Sequence, residues 1–353
     1  MGRMGLIECL KQAVEMEGSD IFIIPNSVMT VKVKGRLVGL TEEKLKFSDT
    51  EQLVREMYQM ARRDMNLLYQ EGDDDFSFAV PNLSRFRCNA YKQRGSCAAT
   101  CRIVTFDLPE RETLHIPQIV MNLLSNQSGM ILVTGPAGSG KSTTLACMVD
   151  GINSTRNGHI VTIEDPIEYL HQHKMSLVSQ REVPSDAATF SRALRAALRQ
   201  APDVIMLGEM RDLDTIRTAI TAAETGHLLL SSLHTIGAAK TVDRIIDTFP
   251  AEQQAQIRIQ LSMVLRAVIS QRLVPSVSGE RIPVFEVMTV NPAIQNLIRD
   301  GRTHQIDNAI YGGNGQNMLS MDSELMRLVR EKTITRDTAL MYAVNPEVLG
   351  KRI

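Results

Sequence analysis

MILVTGPAGSGKSTTLACMVDGI, Met130 to Ile152, decides the fold of this 353-residue chain. Its first five residues, MILVT, read as a buried strand. The glycine-rich turn Gly135, Pro136, Ala137, Gly138, Ser139, Gly140, Lys141, Ser142 follows, and a helical pattern begins at Thr143. The turn fits GxxxxGK[ST]. In that pattern the glycines let backbone N–H groups point inward around phosphates, the lysine reaches the β- and γ-phosphates, and the Ser142 hydroxyl ligates magnesium. The helix adds the positive end of its dipole. Strand before and helix after are the context that gives the motif its meaning, and the ligands implied are ATP and Mg2+.

Outward from this point, strands alternate with helices. HIVTIED, DVIMLGE and HLLLSSLHT are short, almost continuous apolar runs like MILVTG, which suits parallel strands buried on both faces. Between them, Ile216, Ala219, Ile220 and Ala223 recur at helical spacing. The layout is a doubly wound α/β domain with a mainly parallel sheet. The region after Pro250 reads as largely helical.

Three further segments carry candidate chemistry. In LRQAPDVIMLGEMRD, Leu198 to Asp212, an apolar strand ends at Glu209, where ligands bind on such sheets and an acid can hold magnesium. In TIEDPIEYLH, Thr162 to His171, the acids Glu164, Asp165 and Glu168 cluster at a strand end; one of them suits a general base or a water-positioner. A helix N-terminus, which favours acids, accounts for one of the three but hardly for all. In ETGHLLLSSLHT, Glu224 to Thr235, His227 and His234 lie at opposite ends of a strand. His234, at the carboxyl end, is the candidate for the γ-phosphate. His227 is a structural residue or faces a neighbouring subunit.

The first 105 residues read as a small α+β domain. A helix bears Leu6, Leu10, Ala13 and Val14 on one face, strands run from Ser19 and Val28, a helix covers about 49–69, and three strands start near Asp75, Arg85 and Cys97. Alternation puts Arg85, Arg87 and Asn89 on one face of the second of these. Arg87, Arg94 and Arg102 lie on these strands; they either solvate the sheet or serve as arginine fingers. The polar, proline-broken stretch 106–117 is the expected linker, leaving 118–353 as the nucleotide-binding domain.

Composition narrows the rest. A net charge of -1 gives no sign of nucleic-acid binding. The five cysteines form no CxxC pair, so neither a zinc site nor a disulfide framework is expected. No signal pattern and no apolar run of membrane-spanning length occurs, so a cytoplasmic protein with membrane contact only through partners is expected.

In this order and spacing, the four segments resemble the phosphate loop, aspartate box, acidic Walker B segment and histidine box of secretion ATPases. Leu198 to Asp212 matches the type II/IV secretion ATPase signature LRxxPDxxxxGExRD. Within that group, the small amino-terminal domain, the missing zinc cysteines and AIQNLIRDGRTHQI from Ala293 resemble the pilus retraction ATPases. The resemblance implies a RecA-like ATPase domain behind a PAS-like one. It assigns nucleotide to Gly135–Thr143, the metal to Ser142 and Glu209, the base to Glu168 and phosphate sensing to His234. It places Arg87 and Arg102 at a neighbouring subunit's nucleotide. It also implies a homo-hexamer working on an inner-membrane pilus platform protein from the cytoplasmic face. The chain departs from the family's usual motifs at Phe22, Gln295 and Asp300. An accessory or competence ATPase, or a nucleotide-gated binding module of low turnover, are the other readings.

Overall fold

Period-two alternation of apolar and polar residues builds the first part of the chain. A computed structural model describes residues 5–104, 108–109, 113–313 and 317–353, so part of the expected linker lies outside the described residues. The chain separates into two units, Met1–Asp107 and Leu108–Ile353. The first begins with helix α1 (Leu6–Glu15) and strands β1 (Asp20–Ile23), β2 (Thr30–Val33) and β3 (Arg36–Gly39). Helices α2 (Phe47–Met60) and α3 (Asn66–Glu71) follow, then strands β4 (Asp73–Val80), β5 (Ser84–Gln93) and β6 (Ser96–Val104). The six strands form an antiparallel sheet ordered β3-β2-β1-β6-β5-β4. Along β5, Phe86, Cys88 and Ala90 are buried and Arg85, Arg87 and Asn89 only half-buried. The buried set packs with Val54, Met57 and Tyr58 of α2.

Local backbone chemistry corrects three boundaries in this unit. The stretch from Val28 is a hairpin, reversing at Lys34-Gly35, both at positive φ (48° and 81°). The helix expected over 49–69 is broken at Arg62, whose φ is 52°. Arg94 lies in the β5–β6 turn rather than on a strand.

The second unit runs α4 (Gln118–Asn122), β7 (Gly129–Thr134), α5 (Lys141–Thr155), β8 (His159–Glu164), β9 (Leu177–Glu182), α6 (Phe190–Ala197), β10 (Val204–Leu207), α7 (Leu213–Glu224) and β11 (Leu228–Leu233). It continues with α8 (Ala238–Asp247), α9 (Ala251–Val264), β12 (Leu265–Pro275), β13 (Arg281–Thr289), α10 (Pro292–Arg299), α11 (Ile306–Gly312), α12 (Met321–Arg330), α13 (Arg336–Tyr342) and α14 (Pro346–Gly350). Its seven-stranded sheet is ordered β13-β12-β7-β11-β10-β8-β9, parallel except for β13. Every residue of β7, β10 and β11 is buried, because helices cover both faces and each face has its own apolar core.

The region after Pro250 is largely helical, as expected, through α9 to α14, but two strands within it were not expected. It contributes β12 and β13, joined through a turn at Ser276–Gly279 and added to the β7 edge. Both strands are rich in β-branched residues, but Ser270, Gln271 and Glu286 are buried within them and interrupt the apolar pattern. Strand β9 was also not expected: it lies at the sheet edge, is half-exposed, and carries Gln180 and Arg181 in its middle.

Candidate nucleotide site

The carboxyl ends of β7, β8, β10 and β11 meet at one cavity of about 240 Å³. This is where a parallel sheet offers free backbone groups and where ligands bind. After Thr134 at the end of β7 the chain turns through the glycine loop, and Gly140 caps α5 at φ 88°. Gly135 is required by space and Gly140 by its left-handed backbone. A Cβ on Gly135 would lie 2.2 Å from the Gln271 carbonyl oxygen, and one on Gly140 would lie 2.9 Å from Gln271 Nε2. Gln271 on β12 therefore backs the loop from beneath, and its Oε1 accepts a 2.8 Å hydrogen bond from Thr144 Oγ1 on α5.

Lys141, the first residue of α5, turns its ammonium back over the loop. Nζ donates to the carbonyl oxygens of Gly135 (3.0 Å) and Pro136 (2.9 Å) and lies 3.5 Å from His234 Nδ1. Burial lowers its pKa, while the carboxylates of Glu168 and Glu209 draw it back up. An anion arriving beside the ammonium would favour its charged form against the burial.

The acidic loop after β8 is held in place by the edge strand. Gln180 on β9 donates from Nε2 to Glu164 Oε1 (3.2 Å) and to the Tyr169 carbonyl (2.9 Å), and its Oε1 accepts from His171 N–H (2.8 Å). Glu182 Oε2 accepts from Ile167 N–H (3.0 Å). So fixed, the loop presents Glu168, whose Oε1 accepts 3.0 Å from Ser142 Oγ, and Tyr169, whose hydroxyl lies 3.0 Å from Thr143 Oγ1. Glu164 turns inward instead. Its carboxyl accepts from Thr162 Oγ1 (2.6 Å), and burial pushes its pKa up to about 7, with the Glu168 charge adding to the rise. Of the three clustered acids, all of which line the cavity, Glu164 is buried against Thr162 and Gln180 while Glu168 is presented to Ser142.

Glu209 follows β10 and His234 follows β11. Glu209 Oε2 lies 2.7 Å from Arg211 Nε and 3.5 Å from His234 Nε2. His234 therefore bridges Glu209 and Lys141 through its two ring nitrogens. Arg211, largely exposed, lines the same cavity. The Ser142 hydroxyl donates to Glu168 and not to Glu209, so the two acids stand at different walls.

Not every expected residue is brought here. His227 lies at the amino end of β11, where Nδ1 is 3.0 Å from the Ala222 carbonyl oxygen and 3.2 Å from Thr225 Oγ1. Six strand residues separate it from His234, so it is not part of this chain's nucleotide cavity. Arg87 and Arg102 belong to the first unit, directly opposite one another on β5 and β6. Arg102 pairs with Asp20 at 3.1 Å, and Asp74 is taken by Arg63 and Tyr58. Among the described residues no carboxylate pairs with Arg87, although like charges facing across strands cost stability. Sequence reasoning missed Gln180, Glu182, Gln271 and Arg211; the last stands in the quoted signature and was within reach.

The cavity fits a triphosphate with its metal. Ser139 Oγ, in the loop itself, is buried without a partner among the described residues. The fifteen-residue helix α5 directs its unpaired N–H groups at the same place. Ser142, Glu168 and Glu209 supply the hard oxygen donors that magnesium takes together with phosphates.

The family model described as Type II/IV secretion system protein matches residues 5–338. The type IV pilus retraction ATPase PilT of Pseudomonas aeruginosa is 42% identical over 345 residues, 98% of this chain and 99% of that one. A twitching motility protein of Neisseria gonorrhoeae is 48% identical over 285 residues, 80% of this chain and 76% of that one. The crystal structure of the pilus retraction motor PilT with bound ADP superimposes with a TM-score of 0.90 at 42% identity, covering 99% of this chain and 100% of that one.

Proposed function

The chain belongs to the type II/IV secretion system protein family, and from that premise we propose that it is an ATP-hydrolysing motor that powers type IV pilus retraction. The observation that carries the reading is the closure of Lys141, the Ser142–Glu168 pair and the His234–Glu209 pair around one cavity at the carboxyl ends of four strands. Loop N–H groups and Lys141 hold the phosphates. Glu168 takes the proton of the attacking water. His234, between Lys141 and Glu209, reports whether the γ-phosphate is present. Magnesium, held through Ser142 and Glu209, supplies charge neutralisation at the phosphate oxygens.

We propose further that six copies form the ring and that Arg87 and Arg102 act on the nucleotide of a neighbouring copy. The two arginines facing each other across β5 and β6, with no carboxylate pairing with Arg87 among the described residues, support this reading. Work is delivered to a pilus platform protein at the inner membrane, from the cytoplasm. Among the described residues no helix is long and apolar enough to cross a membrane. The near-zero net charge favours a protein track over a nucleic acid.

Purified protein is expected to hydrolyse ATP with magnesium, and Lys141→Ala to remove turnover while the circular dichroism spectrum is kept. Turnover unchanged in that variant overturns the phosphate-loop assignment. In cells, loss of the gene is expected to leave more pili; bald cells would reverse the direction of force.

A further inference from the structure

A buried carboxylate outside the nucleotide cavity joins two parts of the second unit. Glu286 on β13 is 4% exposed and lies directly opposite Ser270 on β12. Its Oε1 accepts from Ala238 N–H at 3.1 Å, the first residue of α8, and its neighbour Val287 exchanges backbone hydrogen bonds of 2.7 and 2.9 Å with Leu319, two residues before α12. Ser270 Oγ accepts from Gly237 N–H at 3.0 Å. The cross-strand pair thus grips two consecutive amides, Gly237 and Ala238. These amides end the short loop that begins at His234, the residue set between Lys141 and Glu209.

The same strand also meets the carboxy-terminal layer. Helices α12 to α14 share a small separate core with the outer parts of β12 and β13, in which Val274, Val284, Met321 and Leu325 are buried. Arg272, the next residue but one after Ser270, donates from Nη1 to the Tyr342 carbonyl on α13 at 2.7 Å. The polar pair supplies the acceptors that the Gly237 and Ala238 N–H groups at the start of α8 require, and in doing so it fixes where the loop ends.

We propose that Glu286 is a positioning residue that locks the His234 loop to β13, which is itself bonded to the approach to helix α12, so that a change at the phosphate end of the cavity is carried to the carboxy-terminal helices. The proposal rests on the ATPase reading only for its kinetic arm. Burial pushes Glu286 up to about 7, with Asp307 adding to the rise and Arg272 opposing it; His304, Asp322 and Arg352 line the cavity beside it. The clamp therefore works in dry surroundings, where a hydrogen bond holds position firmly. Such coupling has to be shown by an energetic test and not by proximity.

The test is a double-mutant cycle on the full-length ring. Glu286→Ala is expected to lower kcat roughly 10-fold or more with KM for ATP within about 2-fold, since misplacing a group near the chemistry costs on this scale. Glu286→Gln keeps one acceptor for Ala238 N–H and is expected to stay within about 3-fold of the unaltered protein. In a His234→Ala background, Glu286→Ala is expected to cost nothing more, because the residue acts through the loop. Full additivity, or an unchanged kcat in the folded alanine variant, overturns the proposal. Ser270→Ala gives the same cycle without placing an unmatched group in the core, should Glu286→Ala not fold. A second readout does not depend on turnover. Adding Mg-ADP is expected to change amide exchange at residues 321–324 in the unaltered chain and not in Ser270→Ala. Equal responses in both overturn the proposal even if the ATPase reading fails, whereas an unaltered chain that responds without hydrolysing ATP overturns only that reading.

Discussion

Replacing Glu164 by glutamine should make the protein more stable, and only at neutral and alkaline pH. Glu164 is 7% exposed; its Oε1 accepts from Thr162 Oγ1 and Gln180 Nε2, and the Glu168 carboxylate lies nearby. An amide oxygen can accept the same bonds without carrying charge. The pKa rises from 4.5 to about 7 on folding, chiefly through burial. At about 1.4 kcal/mol per pH unit this corresponds to roughly 3 kcal/mol. The sign follows from where the proton sits. Below 4.5 both folded and unfolded chains hold it. Between 4.5 and 7 the unfolded chain releases it and the folded chain does not, so stability falls with rising pH; above 7 the loss is complete. The variant lacks this loss. Urea denaturation of the nucleotide-free protein at about pH 5 and about pH 8 should show Glu164→Gln gaining on the unaltered chain by roughly 3 kcal/mol between the two. Glu286, which is raised in the same range, is present in both proteins and cancels. A gap that is equal at both pH values, or a variant less stable at the higher one, would refute the reasoning.

Three other outcomes are expected. Glu168→Gln should bind Mg-ATP, followed with a fluorescent analogue, but turn it over about 100-fold more slowly or worse; near-normal turnover moves the base elsewhere in the loop. Gln271→Ala should weaken ADP binding by about 10-fold in a calorimetric titration, since it removes the partner of Thr144 and the support beneath Gly140; unchanged affinity would mean that the loop holds its shape alone. Mixing Glu168→Gln chains with Arg87→Ala/Arg102→Ala chains should recover part of the turnover that each lacks, because some interfaces then combine intact halves. No recovery in rings shown to contain both chains would remove the shared site.

What could be read from the sequence was whatever depends on neighbours in the chain. The phosphate loop, its flanking strand and helix, and the buried runs of β8, β10 and β11 are local patterns, and the alternation along β5 is equally local. Strands β12 and β13 escaped because Ser270, Gln271 and Glu286 break their apolar rhythm. Those same residues brace the histidine loop and the phosphate loop, so the pattern failed where the strands serve the site. Glu164 and Glu168 look alike in TIEDPIEYLH. Only the arrival of Gln180 from an edge strand, packing Glu164 inward, tells them apart. His227 was placed at the correct end of its strand by spacing, yet spacing says nothing about what waits there.

The seat of Gln271 beneath the glycine loop has a mechanical meaning. Its carbonyl and its amide stand so close to Gly135 and Gly140 that the loop has no room to sink when phosphates press on it. One wall of the cavity is therefore an anvil. The opposing walls are segments carried on side-chain hydrogen bonds, the acidic loop on Gln180 and Glu182 and the histidine loop on Ser270 and Glu286. A phosphate pressing on the loop would be stopped on the anvil side, and the load would pass into the braced acidic and histidine segments.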